Sequence, residues 1–245
     1  MCHNGSVAIN TGARQANRQR IEAAVFASAR RQLATVGATG LSLRDIARDL
    51  DMVSSAIYRY VANRDALLTR LIIDSYNALG EAVEADIAAS RRQSDTRRWV
   101  RAASTIRAWA VAHPHDFLLL YGTPVPGYAA PATTVDPGIR VTLALAGIVN
   151  DAHRAGRLEV AAPGPQLSRA MANDLARVAS EAALDLSAGT VLAFFVSWTQ
   201  LFGLAIFEVT HQTRGLTSDH AALFEATAKQ SAHNLGLRDT SPAIK

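Results

Sequence analysis

The chain has 245 residues, of which 49% are hydrophobic and 19% charged, and its formal net charge is +4. That apolar content fills one large domain or two modest ones and excludes a disordered chain. A single cysteine, Cys2, excludes both a disulfide framework and a cysteine-based zinc cluster. The opening residues hold only Val7, Ala8 and Ile9 as an apolar run, too short for a signal peptide, so the expected setting is the cytoplasm. The charge is unevenly placed: residues 1–70 carry ten arginines against five acidic residues, a net of +5, and the remainder nets −1. A compact basic segment on a near-neutral body favours a polyanionic partner.

Nearly every segment has helical period, and no stretch of useful length alternates with period two, so the fold class is all-α. Residues 1–13 are expected to form a disordered arm. A first helix is predicted over residues 14–36, with Ile21, Val25, Ala29 and Leu33 on one face, Arg18, Arg20, Arg30 and Arg31 on the other, and Gly37 at its stop. Ser42 with Asp45 three residues on reads as a capping box opening a short helix over 42–50, whose stripe is Leu43, Ile46, Ala47 and Leu50. After the break Asp51, Met52, Val53 comes a third short helix, 54–61, and Asn63 caps a fourth over 64–89. Further helices are predicted over 97–113, stopped by Pro114, and over 116–121. The four prolines of residues 122–138 make a long loop, ended by Asp136 and Pro137 as the N-cap pair of a helix reaching about Ala155. Helices over 167–184, 187–211 and 218–235 follow, the last ended by Gly236.

Two short helices joined by a tight turn, behind an amphipathic helix and amid the excess charge, make a helix-turn-helix. The first short helix buries its stripe to fix an angle, and the second presents Ser54, Ser55, Arg59 and Tyr60 to a major groove about 12 Å wide, with Ile57 turned inward. The domains expected are therefore a three-helix DNA-binding domain over 14–62, a larger helical domain over 63–236, and a tail over 237–245.

The stretch over residues 18–73 resembles the TetR/AcrR family of transcriptional regulators. Gly37, Leu41-Ser42-Leu43, Ile46-Ala47, Leu50, Ala56-Ile57-Tyr58-Arg59-Tyr60 and Asn63-Arg64-Asp65-Ala66-Leu67-Leu68 fall at that family's spacing. The resemblance implies that Ser42 and its neighbours Leu43 and Arg44 hold phosphate, that Val53, Ser54, Ser55, Arg59 and Tyr60 belong to the base-reading element, that Tyr58 grips the DNA backbone, and that Arg18 and Arg64 sit near phosphate. Asp51 stands where the family usually has Gly, Val53 where a Ser cap is frequent, and Val61 where Phe is usual. The remainder resembles the regulatory domain named after a tryptophan-histidine-glycine signature, with Trp198 and Gly203 present and Phe202 in place of the histidine. This implies a homodimer paired through helices 187–211 and 218–235, a palindromic double-stranded DNA operator, a small apolar effector, and a repressor rather than an enzyme.

Residues 186–207 are uncharged and long enough to span a membrane, but their serines, threonines, glutamine and two glycines favour burial in a core or dimer interface. Glu208 and His211 have the spacing of one half of a di-iron site, but no second copy exists, so no metal and no cofactor is expected. Tyr76, Trp109, His113, Phe117, Tyr121, His153, Trp198 and Phe202 are the candidate lining of the effector pocket.

Overall fold

A computed structural model describes residues 5–159 and 166–239, with side chains from Arg14 onward. Cys2 and the last six residues of the expected tail lie outside the described residues. Among the described residues there are α-helices and no strand: α1 (Gly5–Val36), α2 (Leu43–Asp49), α3 (Arg64–Ala89), α4 (Asp95–Ala112), α5 (Pro114–Tyr121), α6 (Val135–Arg154), α7 (Arg169–Glu181), α8 (Ala188–Val209) and α9 (His220–Asn234). Short 3-10 turns occupy Ala38–Gly40, Ile57–Arg59 and Ala132–Thr134.

Three differences from the sequence expectation have local causes. The expected disordered arm is helical from Gly5, because no proline interrupts the run and extending an anchored helix needs no new nucleus. The third short helix is instead a set of turns around Ile57–Arg59. Its bonds mostly skip three residues (Ala56 N to Val53 O, 2.8 Å; Tyr60 N to Ile57 O, 2.9 Å), and only Val61 N to Ile57 O, 3.1 Å, is α-like. Val53 offers no capping acceptor, and Ile57, Tyr58 and Tyr60 are weak helix formers, so nothing local favours the full helix. Finally, α6 starts at Val135 and takes Pro137 into its first turn, where the missing N–H has no intrahelical partner to lose.

The chain divides into two compact units, one comprising residues up to Asp74 together with Thr123–Thr134, the other Ser75–Gly122 with Val135 onward. The boundary therefore falls inside α3 rather than at residue 63. The proline-rich loop belongs with the N-terminal unit, where the Tyr128 hydroxyl meets that of Thr69 at 2.9 Å. The core of this unit combines Val25, Ala29 and Leu33 of α1 with Leu43, Ile46 and Ala47 of α2, Ile57 and Val61 of the turn segment, and Leu67, Leu68 and Leu71 of α3.

In the second unit α4 is the central helix, packed on α5, α6, α8 and α9. It buries Trp99, Ala102, Ala103, Ile106 and Ala110. The Trp99 indole N–H donates to the Ser231 hydroxyl at 2.8 Å, satisfying the one polar atom that this ring carries into the core. At the start of α4, Asp95 is almost fully buried and is held by Arg157 at 2.7 Å and Arg98 at 3.3 Å. Arg98 reaches on to Asp151 at 3.0 Å. A buried carboxylate is tolerable only with such partners.

Residues 237–239 are not a free tail. Leu237 is buried, its carbonyl accepts from the Thr96 hydroxyl at 3.1 Å, and the Ser94 hydroxyl donates to Asp239 at 2.7 Å. Gly236, at φ +76°, accepts from the Glu159 N–H at 2.8 Å. A Cβ there would lie 2.3 Å from the Glu159 carbonyl oxygen, so only glycine permits this approach.

Helix α8 and residues 132–154 are each long and apolar enough to cross a membrane by length and composition, with mean hydropathies of 1.8 and 1.2. Helix α8 has a definite inner face nonetheless, with Val191, Phe194, Leu201, Phe202 and Ala205 buried.

Asp95→Ala leaves two arginines without their shared partner, and equilibrium urea unfolding should register a loss of about 3–5 kcal/mol. A loss below about 1 kcal/mol, the size of an exposed pair, would show that this cluster does not anchor α4.

Candidate nucleic-acid interface and regulatory core

The N-terminal unit orients its short segments through bonds to backbone. Ser42 caps α2, its hydroxyl accepting from the Asp45 N–H at 3.3 Å. The reciprocal half of the capping box is not made: the Ser42 N–H donates to Gln32 Oε1 at 3.1 Å, and the Asp45 carboxylate instead takes Arg48 at 2.6 Å. Gln32 is thus a positioning residue that periodicity could not reveal, since its bond depends on where the 38–41 turn returns to α1. Asp49 accepts from the Ser28 hydroxyl at 2.6 Å and from Arg31, which pins α2 to α1. These contacts, the Ser28 bond foremost, hold the Asp49 carboxyl below its ordinary value. Asp51 takes the left-handed backbone the turn demands, with φ +53°. Asn63 caps α3 through the Ala66 N–H at 2.8 Å.

Besides Ser42, which caps α2, the ten other residues singled out for DNA divide into three groups. Ser54, Ser55, Tyr58 and Arg59 are exposed, as are Val53 on the turn and Arg44 on α2, and Tyr60 is half-buried. These exposed side chains carry hydroxyls, a phenol and two guanidinium groups, the donors and acceptors that base edges and phosphates require. Arg18 and Arg64 are engaged with protein. Arg18 pairs with Glu22 at 2.8 Å and donates to the Arg59 carbonyl at 3.3 Å, holding the end of the turn segment. Arg64 donates to the Ala38 carbonyl at 2.8 Å and the Thr39 carbonyl at 3.2 Å. Its guanidinium therefore ties the start of α3 to the 38–40 turn. Leu43 is a correction: its side chain is buried and belongs to the core, because the same stripe that orients α2 must face inward.

In the second unit, all but one of the candidate effector residues form a continuous aromatic cluster. Tyr121 stands at its centre, 4.7 Å from Phe202, 5.0 Å from Phe117 and 5.8 Å from Tyr76, ring centre to ring centre. Trp198 lies 5.1 Å from Phe202, and Trp109 links Phe117 at 6.4 Å to His113 at 4.9 Å. His153 is the exception. It is exposed in the last turn of α6, off the buried Val141, Leu145, Val149 face, where a basic side chain complements the helix dipole. Phe117 and Phe202 are buried in the core, so the cluster is packed on itself. Burial, and secondarily the neighbouring Tyr76, raises the Tyr121 phenol well above its ordinary value, and burial raises Tyr76 as well. Both are neutral hydroxyls at physiological pH. The Trp198 indole Nε1 is buried with no acceptor among the described residues, a group that costs stability until something accepts from it.

Comparison with known proteins places both units. A family model described as bacterial regulatory proteins, tetR family, matches residues 25–71, and one described as tetracyclin repressor-like, C-terminal domain, matches residues 99–230. The HTH-type transcriptional regulator Rv1816 of Mycobacterium tuberculosis is 37% identical over 229 residues, covering 89% of this chain and 93% of its own. Its counterpart Mb1846 of Mycobacterium bovis matches equally. The crystal structure of the regulatory protein SCO4313 superimposes with a TM-score of 0.70 at 30% identity, covering 89% of this chain and 98% of that one.

Ser42→Ala removes the α2 cap and should lower stability in thermal unfolding by about 1 kcal/mol. No change would mean that the Gln32 bond alone holds this helix start.

Proposed function

Because the chain belongs to the TetR family of bacterial transcriptional regulators and is a DNA-binding regulator rather than an enzyme, we propose that it is a cytoplasmic homodimeric repressor released from a palindromic operator by a small apolar effector. The observation that carries the DNA half of this reading is the exposed set Arg44, Ser54, Ser55, Tyr58 and Arg59, with Ser42 capping the helix that carries Arg44 and Arg18 bonded to the Arg59 carbonyl. In a twofold dimer two such surfaces enter successive major grooves roughly 34 Å apart.

Support for the dimer comes from α8. Opposite its buried face lie Val196 and Phe207, each 56% exposed, with Thr199 and Gln200 between them. Gly203 on the same helix has open space where a side chain would stand, which permits close approach of a second helix. The alternative occupant of so apolar a helix, lipid, is disfavoured by that polar middle.

The effector reading rests on the aromatic cluster and its orphaned indole. A planar apolar molecule carrying one hydrogen-bond acceptor would satisfy Trp198 while parting Tyr121 and Phe202. Tyr76 of this cluster lies on α3, the same unbroken helix that begins with Arg64. An effector that binds one α3 position more tightly than another biases the DNA-bound state by that difference in affinity.

Gel-shift titration on DNA flanking its own gene should give sequence-selective binding, and its absence at low salt would overturn the reading. Arg44→Ala should weaken binding on all sequences and reduce the slope of log affinity against log salt by about 0.9, whereas Ser55→Ala should change base preference with the slope kept. Val196→Glu combined with Phe207→Glu should convert a dimer to monomer in analytical ultracentrifugation. A dimer unaffected by the pair would place the interface elsewhere.

A further inference from the structure

Within the second unit, apart from the aromatic cluster, lies an open cavity of about 570 Å³ that the regulatory reading does not use. Small-molecule sites commonly occupy about 300–1,000 Å³. One wall is the α4–α5 junction, with Val111, Pro114, His115 and Leu118. The other is the end of α8, the loop after it and the first residue of α9, with Val209, His211, Arg214 and His220.

Its polar chemistry is one-sided. Glu208, the only carboxylate in the lining, is already taken: Arg107 clamps both its oxygens, Nε to Oε2 at 2.8 Å, and the pair is largely buried. The other ionisable groups facing the space are the Arg214 guanidinium and the imidazoles of His115, His211 and His220. Arg214 has no ion pair among the described residues. His220 meets the Thr213 hydroxyl at 3.3 Å through Nδ1, which leaves Nε2 for another partner. Beside these donors runs an apolar strip, Val111, Leu118 and Val209.

The loop that carries them is built, not slack. Thr213 is buried, the Gln212 N–H returns to the Phe207 carbonyl at 2.8 Å, and the Leu216 N–H bonds the Thr213 carbonyl at 3.1 Å. His211 is held at φ +62°, a conformation costly for a residue with a Cβ and concentrated at functional positions.

We propose that this cavity binds a small organic carboxylate, its anionic end on Arg214 and the neighbouring imidazoles and its apolar body along Val111, Leu118 and Val209. The carboxylate supplies the charge the lining lacks, and a guanidinium pairs with it through two parallel hydrogen bonds. The site is separate from the aromatic cluster and stands or falls independently of it.

The test is isothermal titration of the full-length protein with sodium octanoate and sodium benzoate, using n-octanol and benzyl alcohol as uncharged controls, on wild type and Arg214→Gln. Arg214 is exposed on a loop, so the variant should unfold at the wild-type temperature. The expected result is saturable carboxylate binding that weakens at least about tenfold in the variant, with the imidazole NMR signals of His115, His211 and His220 shifting on titration and the alcohols binding no differently to the two proteins. Four results overturn it, the first three being no saturable carboxylate binding, equal affinity in Arg214→Gln, and binding that quenches tryptophan fluorescence without moving the His115, His211 and His220 signals. If sedimentation shows that Arg214→Gln abolishes a dimer, the cavity is covered by a second copy of the chain and the proposal fails.

Discussion

A carboxylate taken out of water must be repaid by its neighbours, and in the regulatory unit Asp95 sets that condition. Its two oxygens are held by Arg157 and Arg98, and Arg98 in turn holds Asp151. Asp151 lies in the last part of α6 and Arg157 just beyond it, so the start of α4 cannot shift without exposing unpaired charge in a poorly solvated place. The adjacent Ser94 and Thr96 bind residues 237 and 239, bringing the chain's distant end to the same point. Helix α4 is fixed at one end by charge and along its length by Trp99, Ile106 and Ala110, and α5, α6, α8 and α9 take their places against it.

That fixed helix positions both chemistries of this unit. Trp109 and the α4–α5 turn bring His113 and Phe117 to Tyr121 and Phe202, so the aromatic cluster forms where α5 meets α8. A turn away, Val111, Pro114 and Leu118 face the loop after α8, where the polar groups are cationic donors rather than phenols. One end of the α4–α5 corner is thus suited to flat apolar matter and the other to an anion. Arg107 neutralises Glu208, the one carboxylate in the lining of that cavity.

In the DNA-binding unit the same economy of partners applies at the surface. Arginines that composition marks as a single basic patch have two different jobs. Arg18, Arg31 and Arg64 satisfy carbonyls and carboxylates of the protein, and in doing so hold the turn segment, α2 and the 38–40 turn in place. Arg44 and Arg59 point their side chains to solvent. A net charge of +5 in the first seventy residues therefore overstates the charge offered to phosphate.

The sequence by itself determined the all-α class, the helix-turn-helix, and the caps at Ser42 and Asn63, each cap being set by residues three positions apart, where local chemistry suffices. It also determined the gathering of aromatic residues in kind, since large rings at helical spacing must be buried somewhere. Only the tertiary structure decided which of them meet: His153 has the right chemistry but sits off the buried face of α6, a matter of rotation about a helix axis once its neighbours are chosen. Tertiary packing likewise assigned the proline-rich loop to the N-terminal unit through Tyr128, turned Arg64 onto backbone carbonyls, and brought His115 beside Arg214 and His220. Those partners are separated by tens of residues, and no period or motif in a chain records which distant surface a side chain will meet.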